Sequence, residues 1–320
     1  MANKARMGGR IEWVDAAKGV GILLVIVGHV WWQPGPAHRI IYAFHMPLFF
    51  ILSGYMMKPQ PVPGLILRQV RSLLVPFVAF SLILIAADLL VEGARGQRPI
   101  FPGFAAGMAA IVWKTQALRG PFTILWFIPC LFFARIAWTM AARLWPDPFD
   151  RRWAVLAALV MAGGHWIAAR TTASPLGVMA VPAAFTCMWI GQLWKARPPG
   201  PAMTLFLLAP LAAVTWAWLP PVNLKPGDFG MPVLSLAGAA AISILLCLAL
   251  SSLPDKVNAP LAWLGRASLV IMYVHVAFIH YLAPYMERWM LFAAALAGSL
   301  LVHVAAAATR PGRIALLGER

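Results

Sequence analysis

Apolar runs long enough to cross a hydrocarbon core of about 30 Å recur along the whole chain. They lie near residues 13–33, 39–57, 72–91, 121–142, 153–169, 176–194, 201–219, 231–250, 268–284 and 289–308. Lipid offers no water to the backbone, so each run must pair its peptide groups internally, and unbroken apolar runs rule out the alternation of a barrel. The expected fold is an all-α polytopic transmembrane bundle of about ten helices, a single membrane domain over 1–320 with short tails. A soluble globule is excluded, because only 11% of the residues are charged where a soluble domain carries about a quarter.

The formal charge of +16 comes from 26 Lys and Arg scattered in ones to threes between the apolar runs. No basic block of nucleic-acid type exists, so no nucleic-acid partner is expected. With the N-terminus in the cytoplasm, roughly two-thirds of the basic residues fall at cytoplasmic helix ends, and both termini lie on that side. Residues 100–113 are too short to span and too apolar for an ordinary loop, which predicts an outer-face re-entrant or interfacial segment. No small-x-small cleavage site follows the first apolar run, so the first helix is expected to stay in the protein. Cys130, Cys187 and Cys247 lack metal-binding or disulfide spacing and read as packing residues, and no metal is expected.

Ionisable groups retained in lipid mark function, since each costs a few kcal/mol at mid-membrane unless paired or wetted. Asp15, Lys18 and His29 share the first helix. At 100° per residue, Lys18 and His29 point to one face within about 20°, about 16 Å apart along the axis. That stripe predicts a path from the cytoplasmic mouth toward the outer leaflet, although Asp15 and Lys18 alone also read as an i, i+3 salt bridge. The second helix carries His45, Pro47 and Ser53-Gly54; proline inside a span frees a carbonyl beside a cavity, while Ser-Gly also suits plain helix packing. Arg68 and Arg71 can grip a phosphate from one side or simply follow the charge rule. Asp228, in the GDFG run of an outer loop, faces either a substrate or a turn, and His275 lies at mid-span, where a cavity is favoured over lipid.

The run RIEWVDAAKGVGILLVIVGH followed by FHMPLFFILSGYMM resembles the acyltransferase 3 family of bacterial integral-membrane O-acyltransferases, in its fucose 4-O-acetylase-like and enterobacterial common antigen O-acetyltransferase-like branch. The likeness continues through Arg68-x-x-Arg71 with Pro76, LWFIP at 125–129, the GDFG region and the Gly265, Ser268, His275 block. One departure is Lys18, where the broad family has arginine; lysine keeps the charge and loses the bidentate fork. The resemblance implies transfer of an acetyl or short acyl group from cytoplasmic acyl-CoA to a hydroxyl of a sugar, polysaccharide precursor or glycolipid. It places the protein in the bacterial cytoplasmic (inner) membrane, with acetyl-CoA or another acyl-CoA as donor substrate and no permanently bound cofactor.

In that scheme His29 is the general base, with Asp15, His45 and Ser53 in the same catalytic cavity. Lys18, Arg68 and Arg71 hold coenzyme A phosphates, and Trp126, Asp228 and His275 contact the acceptor. A proton-coupled transporter is the competing reading of intramembrane His, Asp and Arg with broken helices, though no half-chain symmetry supports it. A membrane scaffold or sensor would not need a converging polar stripe. Lipid-facing and subunit-facing helix surfaces read alike, so the sequence is compatible with an oligomer.

Overall fold

The computed structural model describes residues 6–7 and 10–319. A two-residue antiparallel pair, β1 (Arg6–Met7) with β2 (Arg10–Ile11), leads into a bundle that is otherwise helical among the described residues. The helices are α1 (Glu12–Val30), α2 (Pro36–Met56), α3 (Val62–Gln69), α4 (Val75–Ala94), α5 (Phe104–Trp113) and α6 (Phe127–Leu144). They continue with α7 (Arg151–Ala168), α8 (Val181–Ala196), α9 (Pro201–Ala217), α10 (Pro232–Ser252), α11 (Asp255–Leu282), α12 (Arg288–Ala308) and α13 (Arg310–Ala315). The all-α polytopic architecture expected from the apolar runs is what the chain forms.

Among the described residues, eight helical stretches are long and apolar enough to cross a membrane by themselves. Of the ten expected spans, α7 and α9 fall outside that set, yet each lies antiparallel to a full-length neighbour. Trp189 donates its indole N–H to Pro148 just before α7, and Gly164 near the end of α7 meets Pro182 at the start of α8. Thr215 late in α9 lies against Gly238 early in α10. The segment α5 is ten residues long and leans on Ile85 of α4 through Gly107, in keeping with a re-entrant or interfacial piece.

Two boundaries differ from expectation. The helix α11 begins at Asp255, well before residue 268, because its first turns pack on α1 as closely as its apolar half does. A methyl group on Gly265 would collide with the carbonyl oxygen of Asp15, and one on Gly19 with that of Leu261. Small residues permit this backbone-to-backbone approach. The region before α6 is built from two 3-10 turns, Thr115–Ala117 and Gly120–Phe122, so Trp126 is the N-cap of α6 and not a mid-helix residue. A second close contact joins α2 to α8, where Gly54 meets Met188 and Gly191 meets Ile51. Cys130, Cys187 and Cys247 are free and buried.

The end of the bundle carrying Glu12 and Lys18 is termed the inner end, following the charge rule. At its centre α1 runs parallel to α11, with Asp15 beside Gly265 low down and His29 beside His275 toward the outer end. The two clasped helices and α2 therefore bring polar groups from both ends of the sequence into one core.

Candidate active site

Two cavities occupy that core, one above the other. The inner one, about 290 Å³, is lined by Asp15, Lys18, Ser53, Arg135, Arg266 and Ser268 together with apolar residues including Phe127 and Met272. The outer one, about 200 Å³, is lined by His29, Tyr42, His45, Thr123, Trp126, Asn223 and Lys225, again with Phe127 and Met272. Those two side chains belong to both walls. The stripe on α1 is thus divided: Lys18 opens on the inner cavity, His29 on the outer one, and Phe127 of α6 with Met272 of α11 stand between.

In the outer cavity, His45 Nδ1 lies 2.7 Å from the carbonyl of Ile41. A carbonyl only accepts, so Nδ1 carries the proton and Nε2 keeps a free lone pair. His275 is held the same way, its Nδ1 2.7 Å from Ile271 O and 3.1 Å from Met272 O. Its Nε2 is buried with no hydrogen-bond partner. His29 faces His275 with ring centroids 5.2 Å apart and planes at 55°. Gly28 lets the Tyr42 ring of α2 approach α1, where its hydroxyl lies 3.5 Å from Gly28 O.

Lys225 reaches this cavity from the outer loop before α10. Its Nζ donates to Leu118 O at 2.5 Å and to Thr123 Oγ1 at 3.1 Å, and burial pushes its pKa down to about 8. The GDFG run builds the turn that presents it. Gly227 N donates to Leu224 O, Asp228 N donates to Asn223 O, and Gly227 and Gly230 adopt φ of 77° and 62°, where a side chain would strain the backbone. Phe229, fully buried, anchors the loop against Gly164. Asp228 itself is exposed and accepts from Gly230 N at 2.9 Å, so it serves the turn and does not line the cavity.

In the inner cavity Lys18 and Asp15 pair at 2.9 Å. The guanidinium of Arg135, in mid-span on α6, donates from Nε to Ser53 Oγ at 2.9 Å. No carboxylate among the described residues pairs with Arg135, whereas Arg266 lies 3.9 Å from Glu12. His45 and Ser53 do not share a cavity, because eight residues carry Ser53 about 12 Å further along α2. Arg68 and Arg71 are also apart from Lys18. Arg71 falls in a π-helical turn, Val70–Leu74, and both arginines line a separate depression of about 120 Å³ with Gly64, Ser72 and Gly318.

The structure therefore unites His29, His45 and Trp126 around one space, sets His275 against His29, and unites Asp15, Lys18 and Ser53 around the other. Sequence reasoning missed Arg135 and Lys225 as site residues. For Arg135 a signal existed, since it is a basic residue within an apolar span. For Lys225, which lies in the loop between α9 and α10, only the folded loop reveals its direction.

Such an arrangement separates a cationic pocket at one end from an imidazole pocket at the other, with a thin apolar partition where a reacting bond can lie. A family model described as an acyltransferase domain matches residues 11–308. No curated protein and no solved structure matches the chain. The match covers every residue of both cavities and nearly the whole bundle, and the chain belongs to the acyltransferase 3 family.

Proposed function

We propose that this membrane acyltransferase moves an acetyl or short acyl group from acyl-CoA, entering at the inner end, to a hydroxyl of a sugar, polysaccharide precursor or glycolipid held in the outer cavity. The observation that carries the reading is the stacking of two cavities of opposite chemistry that share Phe127 and Met272. The inner space is smaller than the roughly 300–1,000 Å³ of pockets that enclose drug-sized ligands, so it suits a pantetheine arm with the nucleotide left outside. Lys18, Arg135 and Arg266 supply N–H donors to the amide carbonyls of that arm and to the phosphate end at its mouth, and Arg68 with Arg71 take an outlying phosphate at the neighbouring depression.

With the Phe127 and Met272 side chains turned aside, the thioester carbonyl meets the acceptor, and His29 takes the proton of the hydroxyl as its oxygen bonds to the carbonyl carbon. One small ring rotation brings an N–H of the resulting imidazolium to the open Nε2 of His275, which orients His29 and spreads its charge as the third member of a catalytic triad does. The tetrahedral intermediate collapses with loss of the C–S bond. The proton passes to the departing thiolate, leaving ester and free coenzyme A. His45 Nε2 accepts a hydrogen bond from the acceptor, and Trp126 offers it a flat face. The bacterial cytoplasmic (inner) membrane is the compartment that supplies acyl-CoA on one side of such a bundle.

The test is thioester consumption by the purified protein with labelled acetyl-CoA, comparing the parent with His29→Ala. Loss of turnover in the variant supports the assignment; equal turnover removes His29 as base. A carrier would instead move a solute into liposomes without consuming thioester.

A further inference from the structure

We propose that Lys225 makes the outer cavity a subsite for an acidic acceptor, a sugar bearing a carboxylate or a phosphate ester, with the ammonium as the group that recognises the negative charge. The proposal rests on the acyltransferase reading for what happens next, but its own basis is independent.

An ammonium has three N–H donors. Two are spent on neutral acceptors, Leu118 O and Thr123 Oγ1. The third has no partner, and no Asp or Glu oxygen among the described residues lies within ion-pair distance. The nearest acid in sequence, Asp228, turns its carboxylate to Gly230 N. A mostly buried cation without a counter-ion is unfavourable unless something else supplies the negative charge. The depressed pKa, caused by burial alone, reports the same imbalance.

The rest of the wall decides what kind of anion fits. Val25, Ile124, Val222 and Leu224 are apolar and keep the local dielectric low, which strengthens attraction to a single charge. Asn223, Thr123 and Tyr42 supply uncharged donors and acceptors, and Trp126 a flat apolar surface. One cation, several neutral polar groups and one indole describe a monosaccharide ring with one acidic substituent. They do not describe coenzyme A, whose several phosphates match the inner arginines instead. The loop that carries Lys225 belongs to the outer end, where the acceptor enters.

The experiment uses the full chain in detergent. Lys225 is labelled with an amine-reactive reagent at about pH 8, and modification is read by mass spectrometry in the presence of methyl glucuronide, glucose 1-phosphate or methyl glucoside. The expected result is protection by one or both acidic sugars at concentrations about ten- to a hundred-fold below any protection by the neutral glycoside, the range for a hydrogen bond to a charged group. Protection by the glucuronide alone identifies a carboxylate, and by the phosphate alone a phosphate ester. Equal protection by all three, or by none, overturns the proposal. A thermal shift series adds a check: the effective acidic sugar stabilises the parent and Lys225→Arg and leaves Lys225→Gln unmoved, while equal stabilisation of Lys225→Gln overturns the assignment. Neither readout consumes thioester. Charge-selective protection in a protein that never uses acyl-CoA would keep this subsite and remove the acyltransferase reading, and His29-dependent thioester use without charge selectivity would do the reverse.

Discussion

Nε of Arg135 donates to the hydroxyl of Ser53 at 2.9 Å, joining α6 to α2 across the floor of the inner cavity. The guanidinium keeps its other N–H donors for a ligand, because no carboxylate among the described residues occupies them. Hydrogen bonds to a charged group contribute about 1.5–3 kcal/mol. Arg135→Gln should therefore raise the KM for acyl-CoA by about ten- to a hundred-fold with a smaller change in kcat, in steady-state assays across donor concentrations. An unchanged KM would move the donor arm away from α6. Ser53→Ala should have a lesser effect of the same kind.

His29 and the His275 ring that faces it should separate kinetically. Removing a general base costs about 10²–10⁴-fold in rate, so His29→Ala should nearly abolish turnover. His275→Ala removes only the group that orients it, and should lower kcat by an intermediate factor while the donor KM stays fixed. Equal loss in both variants would make His275 a base in its own right.

Phe127 and Met272 form the partition between the cavities. Met272→Ala should let water from the outer cavity reach the thioester, so that coenzyme A release rises relative to ester formed. The variant should also lose about 2–5 kcal/mol of stability, as large-to-small core changes do. Tight coupling of the two products in Met272→Ala would show that some other residue excludes water.

Two glycine variants should differ in sign. Gly265→Ala places a methyl on the Asp15 carbonyl and must force α1 from α11, lowering both melting temperature and activity. Gly64, in α3, has nothing within 4 Å of a built methyl, and Gly64→Ala should be neutral or stabilising by up to about 1 kcal/mol through helix propensity alone. Thermal unfolding in detergent compares them directly. Destabilisation by Gly64→Ala equal to that by Gly265→Ala would discount the clasp.

Lys225 also sets a pH dependence. Its pKa is about 8, so the cation is mostly present at neutral pH and disappears as pH rises through that value. Affinity for an acidic sugar should fall across pH 7 to 9, while affinity for a neutral one changes little. The ionisable groups lining the same cavity are His29 and His45 from α1 and α2, with Tyr42 also from α2. The histidines are neutral on the alkaline side, so an alkaline loss points to Lys225. A binding isotherm flat from pH 7 to 9 would count against it.

Much of this molecule could be read before folding. The ten apolar runs gave the helices because backbone pairing in lipid leaves no alternative, and His29 and His45 stood out because imidazoles in such runs are costly. The groove could not be read correctly. Helical periodicity places Lys18 and His29 on one face, but whether the space between them is open depends on Phe127 and Met272, which arrive from helices far off in sequence. The placement of the arginine pair beside, and not inside, the inner cavity was hidden for a local reason: the π turn at Val70–Leu74 changes the angular step between residues 68 and 71, so a 100° wheel cannot say which surface they reach. Lys225 was hidden by a loop whose course depends on two glycines and a buried phenylalanine.

The clasp of α1 and α11 has a consequence for biogenesis. The first imidazole is inserted early, while its partner follows some 250 residues later, at synthesis rates of about 5–20 residues per second. For tens of seconds the nascent chain therefore holds a basic mouth and an imidazole without the ring that faces it. The ring pair is complete only once the penultimate crossing packs against the opening one, so a chain truncated before it is expected to be inert.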